Sequence, residues 1–436
     1  MNIVFLIIFA GVFGWFAWRH MVGALCVLIF LLPSYLIRFS LFGIPVTLLE
    51  VIIVILFGIF VFKRMHFERF KVTKIDKISG SNYKWLIIGI LFFSTIAIFF
   101  SPDKISALGI WKAFFVEPMM VFVVFINVIK DKHQWDLIIN SLGGVALIVA
   151  LFAIYQKITG QFIFNEVWQV AETRRVVSFY GFPNAVGLFL APIVVLFVGR
   201  IVTNLQKLQK LLHQRRMHLW RKILELVFDV SVVVMGGLAI WFARSEGAIV
   251  AVVIGLLMLG LFFKRLRIFT LIMMAIGVLI VAVVPQVREL FIEKISLGDF
   301  SGNIRVIVWQ ETWQMLRDHQ IWGAGLAGFQ AVIGNYHHAI QNFEVYLYPH
   351  NFILNFWSEV GIFGMLFLVF LIIKFFYNYL QAKKINKEWY LILMAVFVTI
   401  LVHGIVDVPY FKNDLAVLWW LVVGMSVVLF REKIEE

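Results

Sequence analysis

ELVFDVSVVVMGGLAIWFARSEGAIVAVVIGLLMLGLFF, residues 225–263, is two apolar runs joined by Arg244-Ser245-Glu246. Each run has the length, about 17–20 residues, that carries a helix across ~30 Å of hydrocarbon. Three residues between them leave room only for a tight turn. The stretch therefore reads as a helical hairpin through a membrane.

Runs of this kind recur in both directions. Spans are predicted at 3–17, 21–37, 46–62, 85–101, 110–129, 135–157, 183–201, 225–243, 247–263, 268–285, 353–373, 390–407 and 413–430, the first two separated only by Arg19-His20. The chain is 62% hydrophobic and 14% charged over 436 residues, with a mean hydropathy of +0.95. No soluble fold hides that much apolar surface, since every fold keeps an exposed skin. Backbone groups in hydrocarbon need internal partners, and alternating barrel strands are absent, so the spans are helices. The expected fold is an all-α, polytopic membrane helix bundle of about 12–13 transmembrane helices, one membrane domain over 1–436. Met1 leads almost directly into a span and others follow at once, so no cleaved signal peptide is expected.

Thirteen spans put the N-terminus outside and the C-terminus inside. Of the 38 lysines and arginines, 26 then fall in cytoplasmic loops and helix ends and 12 outside, as the positive-inside rule requires. The net charge of +13 is thereby a topological signal, and no nucleic-acid partner is implied. The single cysteine, Cys26, excludes an intramolecular disulfide and any multi-cysteine metal site. There is no P-loop, HExxH, dinucleotide fingerprint or carboxylate cluster suited to a metal.

The basic residues that break the rule carry the functional interest. Among the arginines that fall outside are Arg174, Arg175, Arg244, Arg288, Arg305 and Arg317. Two outside segments are long enough to be functional, 158–182 and the large extracytoplasmic loop 286–352. Within the second, IRVIVWQETWQMLRD (304–318) reads as an amphipathic helix with Val306, Trp309, Trp313 and Leu316 on one face. Ser301 and Asn303 are its expected N-caps, and such a Trp-bearing helix can lie flat on a membrane surface.

Arginine presents forked, permanently charged donors suited to phosphate oxygens. Arg305 is placed in the first turn of that helix, where free N–H groups also favour anions; the alternative is a solvated loop charge. Arg244 either binds an anion or pairs with Glu246 at the interface, and Arg174-Arg175 are a site or a surface pair. His350, in YLYPHNFILNFWSEVG, precedes a span with Asn351 as candidate N-cap. A neutral imidazole there can take a proton from a hydroxyl, or the residue is simply polar at an interface. His337-His338 are too weak a motif for a metal. His403 and Asp407, near a span end, are functional or packing residues.

From about 174 to 364 the chain resembles the O-antigen ligase/polymerase family of bacterial envelope glycosyltransferases, including the protein O-oligosaccharyltransferases. The resemblance rests on an ordered series: RVVSFYGFPN, ARSEGA, RVIVWQETWQMLRDHQIWGAGLAGF, PHN and SEVGIFG. The hairpin departs from the common family pattern in carrying Glu246 after Arg244-Ser245. The resemblance implies a fold like the C-type glycosyltransferases and transfer of a glycan from undecaprenyl diphosphate to a lipid, glycan or protein acceptor. That transfer would occur at the outer face of the bacterial cytoplasmic (inner) membrane, without metal or cofactor. It assigns the donor diphosphate to Arg244, Arg305 and Arg175, and acceptor activation to His350. Arg174, Asn184, Trp309, Asn351, Glu359, His403 and Asp407 would support them. The alternative, a transporter or flippase of a polyprenyl-linked sugar, would be expected to show repeat symmetry and mid-membrane charges.

Overall fold

The computed structural model describes residues 3–41, 44–66, 82–213, 219–337, 347–381 and 387–431. The helices are α1 Ile3–Arg19, α2 Met21–Phe30, α3 Leu48–His66, α4 Asn82–Phe100, α5 Lys104–Trp111, α6 Glu117–Val128, α7 Lys132–Thr159 and the one-turn α8 Glu166–Gln169. They continue with α9 Pro183–His213, α10 Leu219–Ala243, α11 Glu246–Phe262, α12 Lys264–Val283, α13 Pro285–Ile295 and α14 Phe300–Asp318. The last are α15 Phe329–Ile333, α16 Phe352–Gln381, α17 Lys387–His403 and α18 Asn413–Arg431. Among the described residues, seven helical stretches are long and apolar enough to cross a membrane, in α4, α5–α6, α7, α9, α10, α12 and α16. Shorter apolar helices lie in α1, α2, α11 and α18. The protein is an all-α polytopic integral membrane protein.

The second predicted run, 21–37, is helical only as far as Phe30. Pro33 has no N–H to continue the ladder and its ring blocks the preceding turn. The chain turns through a 3₁₀ segment, Leu32–Leu36, into an antiparallel hairpin of β1 Arg38–Leu41 and β2 Ile44–Thr47 with Phe39 opposite Val46. Pro118 has a milder effect: the π-helical turn Lys112–Val116 absorbs it, and α5 and α6 run on as one apolar stretch.

α9 is the centre of the bundle, with 83% of its most apolar window buried, and it packs on α7, α10, α11 and α17. Lipid tails are as apolar as leucine, so the hydrophobic effect does little to join helices in a membrane; close packing through small residues does. At Gly187 a Cβ would lie 2.6 Å from that of Ala248 and 2.7 Å from the Ser245 hydroxyl, so α9 meets the start of α11 backbone-close. α12 is the opposite case. Residues 271–280 are exposed without interruption, and its main neighbours are α11 and α13.

The segment between α12 and α16 has a small core of its own, made of Val308, Met315, Leu316, Ala324, Phe329 and Ile333. Two expectations are corrected there. The N-cap of α14 is Asp299, whose Oδ1 accepts from the Gly302 amide at 3.2 Å, and neither Ser301 nor Asn303 caps it. The helix thus begins earlier, and Arg305 sits in its second turn. The buried face is Val308, Glu311, Thr312, Met315 and Leu316, leaving Trp313 46% exposed. Of the predicted stripe only Leu316 is buried, because α14 packs on the 324–336 segment and on the start of α16.

Candidate functional site

Two tight turns and two loop segments build the site. The first turn joins α10 to α11. Ala243 ends one helix, Arg244 takes a left-handed backbone (φ 49°), Ser245 is buried, and Glu246 opens the next helix. The last carbonyls of α10 have no partner within the helix. Arg175 supplies one: its Nε donates to the Ala243 carbonyl at 3.1 Å, and its Nη2 to the Arg244 carbonyl at 3.3 Å and to Asn184 Oδ1 at 3.4 Å. Arg244 in turn donates to the Glu172 carbonyl at 3.3 Å. The Arg244–Glu246 ion pair considered from sequence does not form. Glu246 instead takes Lys294 at 2.8 Å, and Lys294 also holds Asp299 at 2.9 Å.

The second turn, 403–408, joins α17 to α18 and collects contacts from the long segment before α16. Arg305 Nε donates to the Val406 carbonyl at 3.0 Å, and Asn351 Nδ2 to the Ile405 carbonyl at 3.0 Å. The Phe352 amide donates to the Gly404 carbonyl at 2.8 Å. Asn351 is the N-cap expected of it, its Oδ1 accepting from the amides of Ile353 and Leu354. Trp309 Nε1 donates to the Pro349 carbonyl at 2.9 Å. His350, also left-handed at φ 49°, is thereby fixed between two anchored neighbours. Its Nδ1 lies 3.5 Å from Asp407 Oδ1, and its ring meets Tyr348 edge-on.

Gly247 brings the two turns together. A Cβ there would lie 2.8 Å from Val406 Cγ2 and 3.1 Å from His403 Cδ2, so any larger residue would push the turns apart.

The electrostatics follow from this convergence. Burial lowers the Arg175 pKa, and the positive charges of Arg244 and Arg305 lower it further, against the pull of Glu246. Three arginines from three parts of the sequence therefore share one field, while Glu246, the carboxylate that acts on Arg175, is engaged by Lys294. Burial would raise the Asp407 carboxyl, but His350, His403 and the Val408 amide together hold it well below the usual carboxylate range. A charged carboxylate facing Nδ1 leaves Nε2 of His350 as the nitrogen able to accept a proton.

Arg175, Arg244, Arg305, Asn184, Trp309, His350, Asn351, His403 and Asp407 thus meet around these turns. Arg174 and Glu359 do not. Arg174 Nη1 donates to the Lys157 carbonyl at 2.9 Å and its Nε to that of Gln169, closing the end of α7. Glu359 is buried in α16 and accepts from the amides of Ala327 at 2.6 Å and Phe329 at 3.4 Å. His337 pairs with Glu311 at 3.0 Å, and His338 lies outside the described residues. Among the described residues no group of three or more His, Cys, Asp or Glu is placed to hold a metal.

Sequence reasoning missed Tyr348, Lys157 and Lys294. Lys157 Nζ donates to the Arg174 carbonyl at 3.3 Å and lies 5.9 Å from the Phe242 ring centre. It is one of the 12 basic residues on the outside of the predicted topology, at the end of a span, and that placement was the available signal.

Residues 231–369 match the family model described as O-antigen ligase. The match covers less than half of the chain and includes Arg244, Arg305 and His350; Arg175, His403 and Asp407 lie outside it. The resemblance read from the motifs therefore has independent support. No curated protein matches the chain.

Proposed function

From a segment of O-antigen ligase type, we propose that the protein transfers a glycan from a polyprenyl diphosphate to an acceptor hydroxyl at the outer face of the cytoplasmic membrane. The observation that carries this reading is the convergence of Arg175, Arg244 and Arg305 beside the His350–Asp407 pair. The arginines would hold the donor diphosphate with charge-assisted, forked hydrogen bonds. His350 Nε2 would remove the proton of the acceptor hydroxyl as its oxygen bonds to the anomeric carbon of the donor sugar. The bond from that carbon to the diphosphate oxygen breaks, and the leaving group departs with the electron pair. The guanidinium groups stabilise the charge as it develops, which is usually the largest single contribution to such catalysis. Asp407 positions the imidazole and offsets its charge after proton transfer.

The test is transfer by the purified protein from a polyprenyl-diphosphate glycan to acceptors of the three classes, with polyprenyl diphosphate measured as the second product. Release of that product in step with a new glycosidic bond supports the reading. Movement of the intact lipid-linked glycan across proteoliposomes, with no bond made or broken, would replace it by the transporter reading.

A further inference from the structure

α14 connects the candidate site to a second feature that the proposed chemistry does not use. Arg305, Trp309, Trp313 and Arg317 follow one another at four-residue intervals and so form one ridge of the helix surface. The ridge starts at the Val406 carbonyl, which Arg305 contacts, and passes Pro349, which Trp309 contacts. At Trp313 it emerges into the open. The Trp313 ring meets Trp357 edge-on at 5.6 Å, and Trp357 Nε1 donates to the Gln320 carbonyl at 2.7 Å. Gln320 and Arg317 line a cleft of about 550 Å³, together with Asp318, His319, Trp322 and Phe100. At 1.5 Å per residue, Arg317 stands about 18 Å along the axis from Arg305.

The cleft is held rigidly. Trp322 stacks on Phe100 at 4.6 Å. The Ala324 amide donates to the Ser358 carbonyl at 2.7 Å, and the Ile362 amide to that of Ile321 at 3.0 Å, where α16 kinks at Gly361. A rigid cleft with aromatic faces beside a cation, a carboxylate and an amide combines the two demands a sugar makes, an apolar ring face and a rim of hydroxyls. The exposed side chains Gln310 and Gln314 flank the ridge with further hydrogen-bonding groups.

We propose that the α14 ridge from Trp309 to Arg317 and the cleft around His319–Trp322 form an extended oligosaccharide-binding track, which holds sugars of the glycan chain distant from the reacting one. The inference rests on the glycan-transfer reading for the identity of its ligand. A track of this length selects for chains of several sugars, because a short glycan ends before it reaches Trp313.

The experiment compares wild type, Trp313→Ala, Trp313→Phe and Arg317→Ala in nanodiscs. Two donors are extracted from the source cells, a polyprenyl diphosphate bearing one repeat unit and one bearing several. The free oligosaccharide released from the longer donor by mild acid serves as the binding probe. Trp313→Ala and Arg317→Ala should raise KM for the long donor about tenfold, leave KM for the short one and kcat unchanged, and weaken binding of the free oligosaccharide in parallel; Trp313→Phe should restore most of the loss. Equal effects on both donors, or unaltered oligosaccharide binding in Trp313→Ala and Arg317→Ala, would overturn the track. So would quenching of Trp313 fluorescence by brominated lipid with no response to oligosaccharide, which would make the ridge a membrane-contact surface. If wild type transfers neither donor, the glycan-transfer reading fails, and the binding arm still decides whether the track exists.

Discussion

His350 and Arg305 reach the same turn, 403–408, from opposite ends of a long segment, yet they offer it different chemistry. Arg305 is forked and always charged, and its Nε is already committed to the Val406 carbonyl, which aims the remaining donors. Arg305→Lys keeps the charge and loses both the fork and that anchor. Its transfer rate should fall about 10²–10³-fold, the scale of losing one positioned donor of charge stabilisation, and donor affinity should fall with it in a direct binding assay. His350→Ala should lose about 10²–10⁴-fold in rate while binding donor normally. Near-wild-type transfer by His350→Ala would return the residue to an interfacial role. The depressed Asp407 carboxyl makes a pH prediction. Its folded value lies below its unfolded value of about 3.9, so its contribution to stability is fully present above that pH and is lost as pH falls through the folded value. The Tm difference between wild type and Asp407→Asn should therefore persist down to pH 5 and close only in stronger acid. Arg305 was singled out because arginine outside a membrane runs against the positive-inside rule, whereas the expectation for His350 came from the family resemblance. The Arg175 contacts with the Ala243 and Arg244 carbonyls were not legible, since they join positions far apart in sequence through backbone atoms that carry no residue signature.

Among the elements, the apolar runs announced themselves and the long polar segment did not. A span is set by local composition, so most predicted runs reappear as helices, and the failure at 21–37 traces to Pro33. The face of α14 is set by what packs on it, and the 324–333 segment comes later in the chain. The glycines of IWGAGLAGF have a structural account for the same reason. Gly323 has φ +64°, and a Cβ there would lie 2.3 Å from the Ser358 carbonyl oxygen and 2.4 Å from that of Trp357. A left-handed backbone alone costs a residue with a side chain roughly 1–2 kcal/mol, and the clash with rigid backbone adds to it. Gly323→Ala should lower Tm measurably in detergent, whereas alanine at Gly334, where a Cβ meets nothing within 4 Å and the helical backbone tolerates it, should not. Equal stability of the two variants would mean that the segment is not clamped to α16.

Across the whole molecule, the bundle and its membrane setting were readable from hydropathy, and the orientation rests on the division of 26 basic residues against 12. A reporter fused after Gly302 should be extracytoplasmic and one fused in the segment between α9 and α10 cytoplasmic. Reversed labelling would put the arginine cluster on the wrong side for the proposed reaction. The convergence of the two turns was beyond the sequence, because it depends on α9 standing at the centre and drawing α10, α11 and α17 around it.

The isolation of α12 couples the site to the bilayer itself. Its 20 residues span about 30 Å at 1.5 Å per residue, close to the thickness of a typical hydrocarbon core. With residues 271–280 exposed along their length, α12 faces lipid over most of its surface while it packs on α11 and α13, so acyl-chain length should bear on its tilt. A change of tilt would reach α13 and Lys294, whose ion pair holds Glu246, two residues from Arg244. Transfer measured in vesicles of increasing acyl length should therefore show an optimum thickness. Lys294→Ala should flatten that optimum by cutting the mechanical connection between membrane strain and the arginines.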